Sequence, residues 1–93
     1  MAEEKIPTTH RIDDKEPAYE EIKKMVGGYI EIAYDDGNTQ IICNEEGKIH
    51  GHPYNKEATD EWNKLLSINK FYEHNTDVLV GDVVILTGEA LLK

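Results

Sequence analysis

The sequence predicts a single α+β domain with the element order β-α-β-β-α-β, two helices and a mainly antiparallel sheet. Two stretches with apolar residues at helical spacing, a hairpin signal between them and a continuously apolar segment near the C-terminus predict this class. The 93 residues are enough for one core, since a chain of this size buries roughly 60–65% of its unfolded surface. We expect residues 1–93 to form one domain, with residues 1–4 disordered.

The first strand is predicted over residues 5–12, where Pro7 confines it to a sheet edge or to the start of the strand. The first helix is predicted to begin at Pro17, because proline at the first helical position loses no hydrogen bond. Its apolar stripe contains Ala18, Ile22 and Met25. Gly27 is expected to end this helix in a left-handed conformation.

A β-hairpin follows the first helix. Residues 29–34 alternate in polarity, and the residues expected on one face are Ile30, Ile32 and Tyr34. Asp36 and Gly37 supply a tight-turn signal, and residues 39–44 return as the second strand of the hairpin.

The second half of the chain predicts a helix and a last strand. Asn55 is expected to cap the helix, whose apolar stripe contains Ala58, Trp62, Leu65 and Leu66. Residues 67–77 lose the periodicity and are predicted to be an extended connection, anchored to the core by Ile68, Phe71 and Tyr72. Residues 78–87 are predicted to be the last strand, and the apolar run 83–86 is typical of a strand covered on both faces.

Composition excludes several classes of protein. The chain carries 10 basic and 19 acidic side chains, a net charge of −9, so binding to nucleic acid by phosphate neutralisation is not expected. No apolar run approaches the roughly 20 residues that a membrane helix needs. The single Cys43 excludes an internal disulfide. The acidic N-terminal residues lack the features of a secretory leader, which favours the cytoplasm.

The negative charge is concentrated in the first half. Residues 1–46 contain 12 acidic and 5 basic side chains, a net charge of −7. One interpretation is solubility; the other is an electronegative face offered to a basic protein partner. The residues predicted for that face are Asp13, Asp14, Glu16, Glu20, Glu21, Asp35 and Asp36.

Few residues point to catalysis. His50 and His52 would share a face in extended backbone and are weak metal candidates, because their spacing matches no zinc signature and turn histidines are usually solvated. Cys43 lies in an apolar strand beside acidic residues, which is a poor setting for a reactive thiolate. We therefore predict a protein that is not an enzyme and needs no cofactor.

Several short motifs follow one another in a characteristic order. They are Val-Gly-Gly-Tyr-Ile-Glu at 26–31, Asn-Glu-Glu-Gly-Lys at 44–48, Gly-His-Pro-Tyr-Asn at 51–55, Ala58 and Val-Gly-Asp at 80–82. With these motifs the chain resembles a family of small uncharacterised domains encoded mostly by bacteriophages, plasmids and their bacterial hosts. The resemblance covers residues 17–66 and 78–87. It implies an α+β accessory protein of a phage or mobile element and carries no activity or catalytic residue with it.

Three functional hypotheses follow. The first is a non-enzymatic acidic module that binds a host or phage protein in the host cytoplasm. The second is a small-ligand or nucleotide-binding module whose pocket is lined by the connection at residues 44–55. The third is a metal-dependent enzyme using His50 and His52. A homodimer that covers an unpaired sheet edge is compatible with each of them.

Overall fold

The computed structural model describes residues 6–68 and 75–93, so the predicted disorder of residues 1–4 and the predicted anchors Phe71 and Tyr72 lie outside the described residues. The predicted element order is confirmed. The elements are β1 (Thr9–Ile12), α1 (Tyr19–Val26), β2 (Ile30–Asp35), β3 (Thr39–Asn44), α2 (Lys56–Ile68) and β4 (Val83–Thr87). A short 3₁₀ turn, Gly88–Ala90, follows β4.

The four strands form one mixed sheet in the order β1-β4-β3-β2. β1 pairs with β4 in parallel, whereas the β4–β3 and β3–β2 ladders are antiparallel. The predicted predominance of antiparallel pairing is therefore confirmed. β1 and β2 are the two edge strands, and the edge position of β1 agrees with the prediction from Pro7. β1 begins only at Thr9, so residues 6–8 of the strand predicted over 5–12 lie outside it.

Helices cover both faces of the sheet. On one face α1 packs against the central strands, and the buried residues of that layer are Ile22, Val26, Ile42, Val84, Leu86 and Ala90. On the other face lies α2, and the buried residues there are Tyr34, Ile41, Cys43, Ala58, Leu66, Leu79, Val83 and Ile85. This three-layer arrangement explains why β3 and β4 are continuously apolar. No helix among residues 6–68 and 75–93 is both long and apolar enough to cross a membrane.

Local signals set both ends of α1. Ala18 is the N-cap, so the helix begins two residues later than predicted, and the Ala18 N–H donates to Oε1 of Glu21 at 3.2 Å. At the other end Gly27 has φ 81°, and its N–H donates to the carbonyl of Lys23 at 2.8 Å. The predicted glycine end of the helix is confirmed.

A β-bulge in β2 corrects the predicted alternation. The register with β3 shifts between Ile32 and Tyr34, which leaves Ala33 as an extra residue. Ile30 therefore packs on the α1 side, whereas Tyr34 is 4% exposed on the α2 side. Ile32 is 48% exposed. The three residues do not form one buried face.

Two boundaries in the second half of the chain also differ from the prediction. α2 continues to Ile68, so residues 67 and 68 are helical, and Ile68 is 64% exposed rather than an anchor in the core. β4 begins at Val83 and not at residue 78, because Gly81 adopts a left-handed φ of 72° and interrupts the extended backbone. Before that turn, Val80 forms only an isolated bridge with Tyr54.

Candidate functional site

The topology gathers carboxylates at one end of the sheet. β1, β2 and β4 run in the same direction, so the residues that follow these three strands lie at the same end. α1 begins at that end because it follows β1. We name this set the acidic end: Asp13, Asp14, Glu16, Glu20, Glu21, Asp35, Asp36 and Glu89. All seven residues predicted for an electronegative face belong to it.

Glu89 is the member that sequence reasoning missed. It lies outside the acidic first half of the chain, in the 3₁₀ turn that follows β4. Its N–H donates to the carbonyl oxygen of Asp13 at 3.2 Å, which fixes the turn beside the end of β1. Only the parallel pairing of β1 with β4 could have revealed this neighbour.

The C-terminal residues connect the two sides of the acidic end. Gln40 at the start of β3 donates from Nε2 to Oδ2 of Asp35 at 3.2 Å and accepts from the N–H of Leu92 at 2.8 Å. The N–H of Lys93 donates to Oε2 of Glu16 at 3.3 Å. The hairpin turn and the segment before α1 are thus held in one surface.

Asp35 and Asp36 also stabilise the hairpin turn. Oδ1 of Asp35 accepts from the N–H of Gly37 at 3.0 Å. Oδ1 of Asp36 accepts from the N–H of Thr39 at 2.7 Å, and its Oδ2 accepts from the Tyr34 hydroxyl at 2.7 Å. These carboxylates have a structural function in addition to their charge, because they satisfy turn donors.

Most carboxylates of the acidic end take no part in the ion pairs found within the described part of the chain. The ion pairs found there join Arg11 to Glu57 and Glu61, Lys48 to Asp77, and Lys56 to Asp60, and His50 lies 3.9 Å from Glu46. None of them includes Asp13, Asp14, Glu16, Glu20, Glu21 or Glu89. Four lysines lie near these residues: Lys15 and Lys93 beside Glu16, and Lys23 and Lys24 within one helical turn of Glu20 and Glu21. Eight carboxylates and four lysines give a formal local charge of −4 (−8 + 4).

The two candidate metal ligands lie at the opposite end of the sheet. The ring centroids of His50 and His52 are 6.0 Å apart, and Nε2 of His50 is 3.9 Å from Oε1 of Glu46. Across residues 6–68 and 75–93, no three His, Cys, Asp or Glu side chains are placed to hold a metal ion. The pair therefore lacks a third ligand in that part of the chain.

The His52 ring packs closely against two glycines. A Cβ on Gly81 would lie 2.7 Å from Nδ1 of His52, and one on Gly47 would lie 3.3 Å from the same atom. The backbone is joined there too, because the His52 N–H donates to the Gly47 carbonyl at 2.9 Å and the Gly81 N–H donates to the Pro53 carbonyl at 2.7 Å. Three of the sequence motifs thus meet at this contact.

Asn44 joins another pair of motifs. Its Nδ2 donates to the carbonyl of Val26 at 3.1 Å, which satisfies an acceptor in the last turn of α1. A Cβ on Gly28 would lie 2.9 Å from that nitrogen, so a larger residue there would displace the Asn44 amide. These motif residues serve the fold.

A depression of about 280 Å³ lies beside the His52 contact, between the end of α1 and the starts of β1 and β4. Lys24, His52 and Asp82 provide its polar groups, and Pro7 and Pro53 form an apolar rim. A second depression, of about 300 Å³, shares both prolines and extends toward Tyr54. We name the first depression the connection pocket.

Cys43 has the properties of a buried apolar residue. Burial, followed by the nearby carboxylate of Glu31, raises the pKa of its thiol to about 11. The thiol therefore stays protonated at neutral pH, and a thiolate nucleophile is not available in the folded protein.

Comparison with known proteins identifies one match. Residues 1–90 match the family described as "Domain of unknown function (DUF3846)". Neither the curated proteins nor the solved structures gave a match.

Proposed function

The chain belongs to the DUF3846 family, a domain of unknown function, and we propose that it binds a basic surface of another protein through the acidic end. The observation that carries this proposal is the gathering of carboxylates at one end of the sheet, with a formal local charge of −4. None of the described ion pairs includes Asp13, Asp14 or Glu20. In this proposal the protein is a non-enzymatic accessory protein of a phage or mobile element. It acts on a host or phage protein in the host cytoplasm.

The carboxylates at the two edges of the sheet are close enough to attract a partner together. Three strand spacings of about 4.8 Å separate β1 from β2, so the carboxylates after the two edge strands are about 15 Å apart. This distance is comparable to the Debye length of about 10 Å at 0.1 M salt, so their potentials overlap. Overlapping negative potentials steer a basic partner and fix its orientation.

The hydrogen bonds of the acidic end also support the proposal. Asp35 and Glu16 are held by Gln40 and by the backbone of Lys93, so part of the charge has a fixed position. Fixed charges lose less side-chain entropy when a partner binds than free surface carboxylates do.

Charge reversal tests this proposal. Asp14→Lys/Glu20→Lys changes two exposed carboxylates that make no side-chain hydrogen bond among residues 6–68 and 75–93. We expect this variant to fold and to bind its partner about tenfold more weakly or worse, which corresponds to about 1.4 kcal/mol. Quantitative mass spectrometry of proteins captured from host lysate measures the effect.

The matched control is Glu45→Lys/Glu46→Lys, which makes the same change of charge at the opposite end of the sheet. A protein captured by the wild type and by this control, but lost from the first variant, supports the proposal. Identical capture by all three proteins contradicts it.

The connection pocket favours a second candidate function, the binding of a small ligand. Lys24, His52 and Asp82 converge on an apolar rim, which is the usual composition of ligand sites, although 280 Å³ is near the lower limit of their size. Ligand-induced stabilisation tests it, because a ligand at 100 times its Kd adds about 2.7 kcal/mol.

A thermal-shift screen of nucleotides and small anions is the measurement for this candidate. We expect an increase in Tm for the wild type that Lys24→Ala reduces and Lys15→Ala, outside the pocket, leaves unchanged. The absence of any shift, or equal shifts in both variants, contradicts ligand binding at this pocket.

A further inference from the structure

The outer edge of β2 has unpaired backbone groups among the described residues. β2 is the last strand of the sheet order and pairs only with β3. The carbonyl of Tyr29 accepts from the N–H of Glu45 at 2.8 Å. Because bonded and non-bonded pairs alternate in an antiparallel ladder, Ile30 and Ile32 turn their N–H and C=O groups away from β3.

The hydrogen bonds of the hairpin turn show which backbone groups point outward at the other end of β2. The N–H of Asp36 donates to the carbonyl of Thr39 at 3.2 Å, so Asp36 and Thr39 form a bonded pair. The backbone N–H and C=O of the preceding residue, Asp35, which lies opposite Gln40, therefore point away from β3. The bulge at Ala33 separates the two parts of the edge. Residues 30–32 thus form a short, regular edge segment.

The side chains of this segment have a defined chemistry. Ile32 is half exposed, and Glu31 is exposed on the α2 side, where its Oε1 lies 4.0 Å from Sγ of Cys43. No cation of residues 6–68 or 75–93 forms an ion pair with Glu31. An added strand would therefore meet an apolar side chain on one face and a carboxylate on the other.

A second copy of the chain does not suit this edge. Two antiparallel β2 edges that use the free groups of Ile30 and Ile32 in both copies would place Glu31 directly opposite Glu31 of the second copy. Like charges in directly opposed positions destabilise a strand pair. A strand with a basic residue opposite Glu31 gains a favourable cross-strand pair instead.

We propose that the basic partner of the acidic end also adds an extended segment with the pattern apolar–basic–apolar to the open edge of β2. This proposal rests on the proposed function and names its mode of binding. The segment forms a fifth strand, its backbone pairs with Ile30 and Ile32, and its Lys or Arg side chain lies beside Glu31. This is strand addition, in which main-chain bonds give affinity and alternate side chains give specificity.

The test uses the full ¹⁵N-labelled chain and a synthetic probe, the capped peptide Thr-Val-Lys-Val-Arg-Val-Thr. NMR measures hydrogen exchange of the individual amides. At a probe concentration about five times Kd, we expect exchange of the Ile30 and Ile32 amides to slow about sixfold. The same peptide with glutamate in place of Lys and Arg should leave both rates unchanged.

The variant Glu31→Lys should reverse this preference, so that the acidic peptide slows exchange and the basic peptide does not. Asp14→Lys, an exposed substitution at the acidic end and away from residues 30–32, should retain the wild-type preference. Unchanged exchange of the Ile30 and Ile32 amides, equal slowing by both peptides, or a dimer formed without any peptide in sedimentation overturns the proposal.

The acidic-end variant separates this proposal from the proposed function. Asp14→Lys/Glu20→Lys should still show peptide-dependent slowing at Ile30 and Ile32, although it loses the captured protein. If capture depends on the acidic end but the peptide has no effect on exchange, strand addition alone is wrong. If the peptide slows exchange but capture is insensitive to the acidic end, the proposed function is wrong.

Discussion

Gly81→Ala is expected to lower the free energy of unfolding by about 3 kcal/mol. The φ of 72° costs an L-residue about 1 kcal/mol. The new Cβ would also lie 2.7 Å from Nδ1 of His52 and 3.2 Å from its Cβ and Cγ. A change of rotamer cannot remove the contact with the His52 Cβ, so the backbone must shift at a cost of another 1–3 kcal/mol, about the usual cost of overpacking. Urea unfolding measures the loss.

Gly51→Ala is the matched control for this substitution. Gly51 has a similar φ of 70°, but a Cβ there would have no heavy atom within 4 Å. Its expected loss is therefore only about 1 kcal/mol, the cost of the left-handed conformation. In a His52→Ala background, Gly81→Ala should lose part of its effect. Equal losses at Gly51 and Gly81 would show that contact with His52 is not the cause.

Asn55→Ala is expected to lower the free energy of unfolding by about 2–4 kcal/mol. Asn55 is 2% exposed, and its Oδ1 accepts from the N–H of Ala58 at 2.9 Å as the N-cap of α2. Its Nδ2 donates to the buried Gly81 carbonyl at 3.0 Å, and the Thr9 hydroxyl donates to Oδ1 at 3.2 Å. Alanine removes the helix cap, which contributes about 1 kcal/mol. It also leaves the buried Gly81 carbonyl without its hydrogen-bond donor, which costs about 1–3 kcal/mol more.

Asn63→Ala provides the comparison on the same helix. Asn63 is partly buried, and within the described part of the chain its Oδ1 accepts a hydrogen bond from Nδ2 of Asn75 at 2.8 Å. We expect a loss of about 1 kcal/mol or less in the same urea experiment. If Asn55→Ala costs no more than Asn63→Ala, the bonds of Asn55 from α2 to β1 and Gly81 do not contribute as described.

Local sequence signals predicted the features of the fold that depend on neighbouring residues. Gly27 ends α1 and Asn55 caps α2 because both effects arise within one helical turn. The apolar run of β4 likewise predicted a strand covered on both faces. Each of these predictions needs only a few adjacent residues.

Features that depend on distant contacts escaped prediction. The bulge at Ala33 arises from the pairing of β2 with β3, and the late start of β4 arises from the turn at Gly81 against His52. The sequence showed His52 as a weak metal candidate because the glycine against which it packs is 29 residues away. Alternation alone cannot reveal such contacts.

The acidic end was predictable in composition and not in geometry. Seven of its residues stand out in the first half of the sequence, but Asp13 follows β1 and Asp35 ends β2, at opposite edges of the sheet. They share one end because both edge strands run in the same direction. Glu89 joins them through the parallel pairing of β1 with β4, which no local pattern encodes.

The affinity of a captured partner as a function of salt is the most direct measurement of binding through the acidic end. Isothermal titration should show Kd rising as NaCl increases from about 0.05 to about 0.5 M, because screening shortens the range of the carboxylate potentials. Asp14→Lys/Glu20→Lys should show weaker binding and a smaller salt dependence, and Glu45→Lys/Glu46→Lys should match the wild type. A Kd that is independent of salt and equal in all three proteins would contradict binding through the acidic end.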